Sequence, residues 1–441
     1  MALASEISPA TAREIARWYK LRDHEVQLSL IHDVCRFKVV PAGRRSGKTE
    51  RFKRHVVKQA MAHPGGRFFA AAPTRDQVKK IFWSDLKLLS LASIHARRPS
   101  ESDLIIHFDN DAEIHLVGLD QPARIEGVVW DGGGIDEMAD VKGEAWESNI
   151  RPALDTFNPM RPDYRAWCWL FGVPDGLNHY YDLAEYARTA GDPDWKLYHW
   201  KSSDILPPDV IEAAKRQMSK KQYLQEYEAS FETASGRIYD DYGPANWCEA
   251  VIEPHEQLLW MHDFNYSPMS SCIGVMRDAG VHLLEEIILT SAVARQSAEE
   301  FVERYASHRN KHVVIYGDPA GKAGEKHGQS SDYIEIEKVL NAHGWGFTRK
   351  IRPSTRSIKD GQNAVRAKIM NAAGEVSLFV NPSTAKYVHK ALATGQLKKG
   401  STFLEEDGEF QHVGTAVRYF IDYEFPTHGR DNRQLILKGA L

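Results

Sequence analysis

The sequence predicts an α/β chain in two parts. The first is a mostly parallel sheet with helices on both faces, built around a phosphate-binding loop. The second is a further α/β domain whose strands carry carboxylates to one edge. Three observations predict this. Ala42–Thr49 reads A-G-R-R-S-G-K-T directly after the apolar run Phe37-Lys38-Val39-Val40. Gly134-Ile135-Asp136-Glu137 follows a second apolar stretch, Val128-Val129-Trp130. Beyond residue 250 the pattern becomes strand, strand, strand, helix, strand, with Asp263 and Asp318 at two strand ends.

The first motif is a loop between a strand and a helix. In such loops backbone N–H groups cradle phosphates, the lysine reaches the β/γ-phosphates and the hydroxyl binds Mg²⁺. Lys48 and Thr49 take the last two roles, and Gly43, Arg44, Arg45, Ser46 and Gly47 form the cradle. The usual leading glycine is replaced by Ala42, with Gly43 one step later. In the second motif Asp136 is the metal-holding acid, and Glu137 orients and deprotonates an attacking water. Read alone, Gly132-Gly133-Gly134 is also consistent with a solvated turn. The two motifs in this order point to ATP as substrate with Mg²⁺ as its ion. Gln27, upstream of the loop, has two readings: a reader of the adenine edge, as in many ATPases, or a surface glutamine.

Around these motifs the elements alternate. Thr11–Leu21 lies in a helical stretch over 9–36. Glu50–Ala62 is a helix ending at Pro64-Gly65-Gly66. Arg67–Ala72 is a buried strand bounded by Pro73-Thr74. Gln77–Leu91 reads as one helix, and Leu104–Phe108 with Ala112–Val117 as a hairpin about Asp109-Asn110-Asp111. Trp167–Gly172 is a strand and Ile205–Tyr227 is helical. Strand–helix alternation around a phosphate loop implies a mostly parallel sheet. Residues 1–231 make the first domain, including an N-terminal helical segment. Residues 232–250 make a linker, and 251–441 the second domain. There the strands are Leu258–Asp263, Ser271–Arg277, His282–Leu289 and His312–Tyr316, with a helix over Ser297–His308. That order opens a ribonuclease H-like domain.

Composition bounds the rest. A chain of 441 residues, 42% hydrophobic and 26% charged, fits two or three soluble domains. No apolar run approaches the roughly 20 residues that span a bilayer, and Met1–Ser8 lacks a secretory signal. Cys35, Cys168, Cys248 and Cys272 form no metal or disulfide spacing, which favours a reduced intracellular setting. A net charge of −4 argues against a wholesale nucleic-acid binder but leaves room for a local basic track. Arg349, Lys350, Arg352, Arg356 and Lys359 form one such cluster; Lys386, Lys390, Lys398 and Lys399 form another. Each is equally readable as a solvated face.

Asp263 and Asp318 close this reading. Carboxylates from neighbouring strand ends bind one or two hard divalent ions, Mg²⁺ or Mn²⁺, in phosphodiester cleavage. Glu285 or Glu286, on an intervening strand, is either a further ligand or part of a solvated face.

Both halves together resemble the large terminase subunit of tailed bacteriophages. The resemblance rests on Ala42–Thr49, Ala72-Pro73-Thr74, Gly134–Glu137, Trp146 with Ile150–Leu154, Tyr223–Phe231, Asp263 and Tyr316-Gly317-Asp318-Pro319. It implies an ATP-driven motor that packages double-stranded DNA through a portal protein into a procapsid, with a metal-dependent endonuclease that cuts concatemers. It further implies a small terminase subunit as partner, a homo-oligomeric ring on the portal, no membrane, and action in the host cytoplasm. Arg124 resembles the family's arginine finger, with Arg44 and Arg45 as alternatives. An ATPase–nuclease of DNA repair or defence, without portal docking, is the other reading.

Two departures stand out. The family's third nuclease acid sits in a pattern like His-x-x-Asp-Ala-x-Arg-Tyr; here His412–Tyr419 has Thr415 in the acid's place. Three explanations follow: an engineered substitution that silences cutting, a replacement ligand (Glu409, His412 or Asp422), or a naturally weak nuclease. In Phe171-Gly172-Val173-Pro174, Val173 stands near the place of the family's coupling hydroxyl.

Overall fold

The computed structural model describes residues 9–156, 161–231, 236–265, 268–322, 331–398, 401 and 403–427. Two compact units emerge, one of residues 1–211 with 224–233, the other of 212–223 with 234–441. Residues 232–235, the start of the stretch read as a linker, and Lys399 lie outside the described residues.

The first unit is a seven-stranded sheet. Its strands are β1 (Phe37–Pro41), β2 (Arg67–Ala72), β3 (Ile105–His107), β4 (Glu113–Gly118), β5 (Gly132–Ile135), β6 (Trp167–Gly172) and β7 (Trp195–Leu197), in the order β3-β4-β2-β5-β6-β1-β7. Only β3 runs antiparallel, against β4, so the predicted hairpin is present at the sheet's edge. Alternation along each strand fills two cores. Phe68, Ala70 and Ala72 of β2 face one layer with Phe52, while Phe69 and Ala71 face the other with Trp130. A parallel sheet covered on both faces needs such continuous apolar strands.

Two elements differ from the sequence reading. The apolar stretch Val128–Trp130 is not the strand; the glycine run Gly132–Gly134 is, together with Ile135. A Cβ at Gly132 would lie 2.3 Å from the Trp167 ring, at Gly133 2.5 Å from Phe69, and at Gly134 2.4 Å from Phe52. The strand exists because aromatic rings close on a backbone without side chains. The helix read over Gln77–Leu91 is three pieces: Arg75–Val78, a π-turn Lys79–Trp83, and Ser84–Leu89. It starts early because Thr74 accepts the Gln77 N–H as an N-cap.

The second unit is a six-stranded mixed sheet. Its strands are β8 (Leu258–Asp263), β9 (Met269–Arg277), β10 (Gly280–Leu289), β11 (His312–Gly317), β12 (Gly346–Arg349) and β13 (Leu378–Val380), in the order β12-β11-β8-β9-β10-β13. β8, β9 and β10 form an antiparallel meander, and β11 joins β8 in parallel. Helix Gln411–Glu424 packs across β8, β9 and β11 and buries Val413, Ala416, Val417 and Phe420.

Candidate functional site

The phosphate loop leaves β1 at its carboxyl end, and Asp136 leaves β5 two strands away, with β6 between them. Thr49 Oγ1 donates to Asp136 Oδ2 at 2.9 Å. Lys48 Nζ is buried and donates to Gly43 O at 3.4 Å. The helix Lys48–Ala62 begins at the loop, so its first-turn N–H groups have no intrahelical acceptors. An N-terminus of this kind favours anions. Gly47 has φ +89°, a left-handed turn that glycine adopts without strain. Burial and the neighbouring Glu137 carboxylate push Asp136 well above the usual carboxylate range, against Lys48 and the Thr49 hydroxyl. Glu137 holds φ +55°, an uncommon conformation for a side-chain-bearing residue and one that clusters at functional sites.

Residues without a motif hold the loop. Gly43 N–H donates to Trp200 O at 3.0 Å and Arg44 N–H to Glu226 O at 2.6 Å. Ser202 Oγ donates to Arg44 O at 2.7 Å, and Trp200 Nε1 to Ser46 O at 3.2 Å. A Cβ at position 43 would lie 2.4 Å from Ser202, which accounts for glycine there rather than at 42. Ser46 Oγ closes the loop on Gly43 O at 2.5 Å. Arg44 pairs with Glu226 at 3.3 Å, while Arg45 is exposed. Gln27 reaches the loop, but its amide is committed: Nε2 donates to Ser46 O at 2.7 Å and Oε1 accepts from Arg51 at 2.9 Å. Arg124 pairs with Asp120 one turn earlier, at 3.1 Å, on the surface. Val173 is buried just beyond β6.

In the second unit, register pairs Gly317 with His262, so Asp318 and Asp263 follow side by side at the ends of two parallel strands. Asp263 Oδ2 accepts from His412 Nδ1 at 3.0 Å, a bond that raises the imidazole's pKa. Asp318 Oδ1 accepts from Ala320 N–H at 2.9 Å. His412, Thr415 and Tyr419 share one face of helix Gln411–Glu424. Tyr419 is raised by burial and then by the charges of Asp318 and Asp263, which sets it near both carboxylates. Thr415 is buried on that helix.

Asp422 is held by Arg356 at 2.8 Å and Arg352 at 3.1 Å, and Glu409 accepts from Tyr387 at 2.7 Å. Of the three acids and bases weighed as replacements for Thr415, His412 is the one that touches Asp263. Glu285 accepts from Tyr305, and Glu286 caps helix Lys386–Thr394 through the Tyr387 and Val388 N–H groups. Asp263, Asp318 and the Thr415 hydroxyl are hard oxygen donors that suit Mg²⁺ or Mn²⁺. Among the described residues no group of three His, Cys, Asp or Glu side chains is set to hold a metal.

Four of the five cations in the basic cluster 349–359 are paired with acids outside it. Arg349 pairs with Glu337, Lys350 with Glu424, and Arg352 and Arg356 with Asp422. Lys398 pairs with Asp407, and Lys390 lies over the Phe410 ring. Cations already paired have little left for a phosphate backbone.

The fold and the two edges define a class: a phosphate-loop α/β unit followed by a mixed α/β unit with two aspartates at adjacent strand ends. No family model matches the chain. It is similar to the large terminase subunit of Thermus phage G20c, 25% identical over 255 residues, or 49% of this chain and 50% of that protein. The large terminase subunit of Escherichia phage T5 is 28% identical over 187 residues, 41% of each. The solved large terminase of the thermophilic bacteriophage D6E has a TM-score of 0.60 at 16% identity, covering 91% of this chain and 99% of that one. The D6E protein in complex with ATP-γ-S gives 0.57 at 17% identity. The chain thus has relatives named as phage large terminase subunits and shares the D6E terminase fold. It spans about half the length, or less, of the curated relatives it matches.

Proposed function

We propose that this chain hydrolyses ATP to drive double-stranded viral DNA into a procapsid, and that its second unit is a divalent-metal-dependent endonuclease for concatemeric DNA. The observation that carries the ATPase reading is the 2.9 Å bond between Thr49 and Asp136 beside Lys48. Lys48 and the loop N–H groups bind the β/γ-phosphates. Thr49 and Asp136 hold Mg²⁺, which neutralises charge on the transferring phosphoryl group when bound. Glu137 accepts the proton of the water that attacks the γ-phosphorus, and ADP leaves. Arg124, Arg44 and Arg45 are the candidates for a finger, and exposed Arg45 is the one without an ion-pair partner among the described residues. Gln27 supports the loop from behind, a role its committed amide favours over base reading.

Asp263 and Asp318 supply the nuclease's oxygen ligands. Thr415 in the third place implies weak cutting. Portal protein, small terminase subunit, a homo-oligomeric ring and the host cytoplasm belong to the same proposal. No described helix is long and apolar enough to cross a membrane. The test is DNA-stimulated ATP turnover of wild type and Lys48→Ala, with cleavage of the same DNA followed in parallel. The proposal requires turnover that DNA accelerates and Lys48→Ala abolishes; DNA-independent turnover, or turnover surviving Lys48→Ala, overturns it. Stimulation by portal protein separates packaging from a repair or defence ATPase.

A further inference from the structure

A cavity of about 630 Å³ opens in the first unit at the amino ends of β1, β6 and β7, the edge of the sheet opposite the phosphate loop. Its size falls in the range of small-molecule sites. Lys38, His55, Gln59, Tyr164 and Trp167 line it, with Asp163 at the exposed rim.

Most charged groups around it are paired, with Asp163 on the exposed rim and Lys38 inside as the exceptions. Arg165 grips Asp194, Arg36 pairs with Asp155 at 2.9 Å and Asp194 at 3.6 Å, and the Asp33 carboxylate is taken by Lys196 and Tyr198. Lys38 is 3% exposed, and its Nζ donates to two carbonyls, Leu30 O at 2.8 Å and Asp33 O at 2.6 Å. An ammonium has three donors, so one remains. The Trp169 ring lies 5.6 Å from that Nζ, and the Asp33 carboxylate acts on it from a distance while bonded to Lys196 and Tyr198; burial still lowers the Lys38 pKa, a cost that an anion on the third donor would offset.

The polar groups beside Lys38 are also open. His55 is held between Trp169, stacked at 4.6 Å, and Trp167, edge-on at 4.8 Å. Burial and the nearby Lys38 and Lys58 push it down to about 3, so the ring is neutral and offers one donor and one acceptor. Neither its nitrogens nor the Gln59 amide, one turn later on the same helix, has a partner among the described residues. The Tyr164 hydroxyl accepts from Trp167 Nε1 at 3.2 Å, which leaves its O–H to donate.

We propose that this cavity binds a planar aromatic or heteroaromatic carboxylate. The carboxylate compensates Lys38, the ring lies against Trp167, and His55 and Gln59 read the ring's polar edge. This site is separate from the phosphate loop, and its proposal stands without the proposed ATPase activity.

The test titrates the full chain with nicotinate and with nicotinamide, its uncharged isostere, following tryptophan emission and thermal unfolding. Nicotinate is expected to quench saturably and to raise Tm. Nicotinamide is expected to bind about tenfold weaker or worse, since hydrogen bonds to charged groups are the stronger ones. Lys38→Met removes that preference, Gln59→Ala weakens both ligands, and Lys48→Ala changes neither. Absence of saturable nicotinate binding overturns the proposal. So does equal affinity for both ligands, or binding lost in Lys48→Ala. If Lys38→Met does not fold, the nicotinate–nicotinamide ratio and Gln59→Ala decide.

Discussion

Gly134→Ala tests the strand that presents Asp136 at the glycine two residues before it. The new Cβ would lie 2.4, 2.8 and 2.9 Å from three atoms of the Phe52 ring. Phe52 cannot step aside: it is fully buried, with Phe171 at 5.0 Å, Trp169 at 5.8 Å and Phe82 at 5.9 Å. Overpacking a core by one methyl group typically costs about 1–3 kcal/mol, and a ring fenced on three sides puts this site near the top of that range. Against it, alanine restricts the unfolded chain, a gain of about 0.4–1 kcal/mol. The net expectation is a loss of about 2 kcal/mol, taking the difference of those two ranges. Urea unfolding followed by tryptophan emission measures it. Phe52→Leu frees space, so the double variant should recover about 1 kcal/mol relative to the sum of the single changes, as contacting residues do. A Gly134→Ala protein within about 0.5 kcal/mol of wild type, the ordinary range for an uncrowded site, or strict additivity with Phe52→Leu, would refute the account of β5.

Other expectations follow from the second unit. Because His412 is raised by Asp263, its contribution to stability is fully present below the ordinary value of 6.5 and is lost as pH rises through its folded value. The urea midpoint should therefore fall from pH 6 to 9, and His412→Gln should flatten that fall; an unchanged slope contradicts it. Thr415→Asp should raise Mn²⁺-dependent cleavage of plasmid DNA, since it places a carboxylate on the helical face that carries His412 and Tyr419; unchanged cleavage refutes the assignment. Glu286→Gln weakens the acceptor for the Tyr387 and Val388 N–H groups, and should cost about 1 kcal/mol, as loss of a helix cap does; a change within experimental error in urea unfolding sinks that reading.

What was legible in the sequence is what chemistry encodes locally. Val39-Val40, Phe68-Phe69 and Leu258–Met261 are short apolar runs bounded by turns, and each is a strand. β5 was not legible because its strand character lives in Phe52, Phe69 and Trp167, rings from three other elements that a run of glycines makes room for. The helix over 77–91 keeps its apolar spacing, yet that spacing does not distinguish an α-turn from the π-turn at Lys79–Trp83. The basic cluster 349–359 is readable from sequence either as a DNA track or as a solvated face, because its countercharges, Glu337, Asp422 and Glu424, lie far from it along the chain.

The same division runs through the candidate sites. Lys48, Thr49 and Asp136 are visible because their chemistry requires those side chains, and the 2.9 Å contact joins two motifs that sequence lists only in order. Trp200 and Glu226 are invisible because they act on the loop largely through backbone carbonyls, which any residue supplies. Their identity matters at one remove: Trp200 adds its indole N–H to Ser46 O, and Glu226 adds its carboxylate to Arg44. A motif therefore marks the candidate phosphate loop, while its stiffness comes from residues whose side chains look ordinary. At the paired carboxylates the order is reversed. Asp263 and Asp318 are ordinary aspartates at strand ends until parallel register sets them adjacent. His412 then joins that edge through its bond to Asp263.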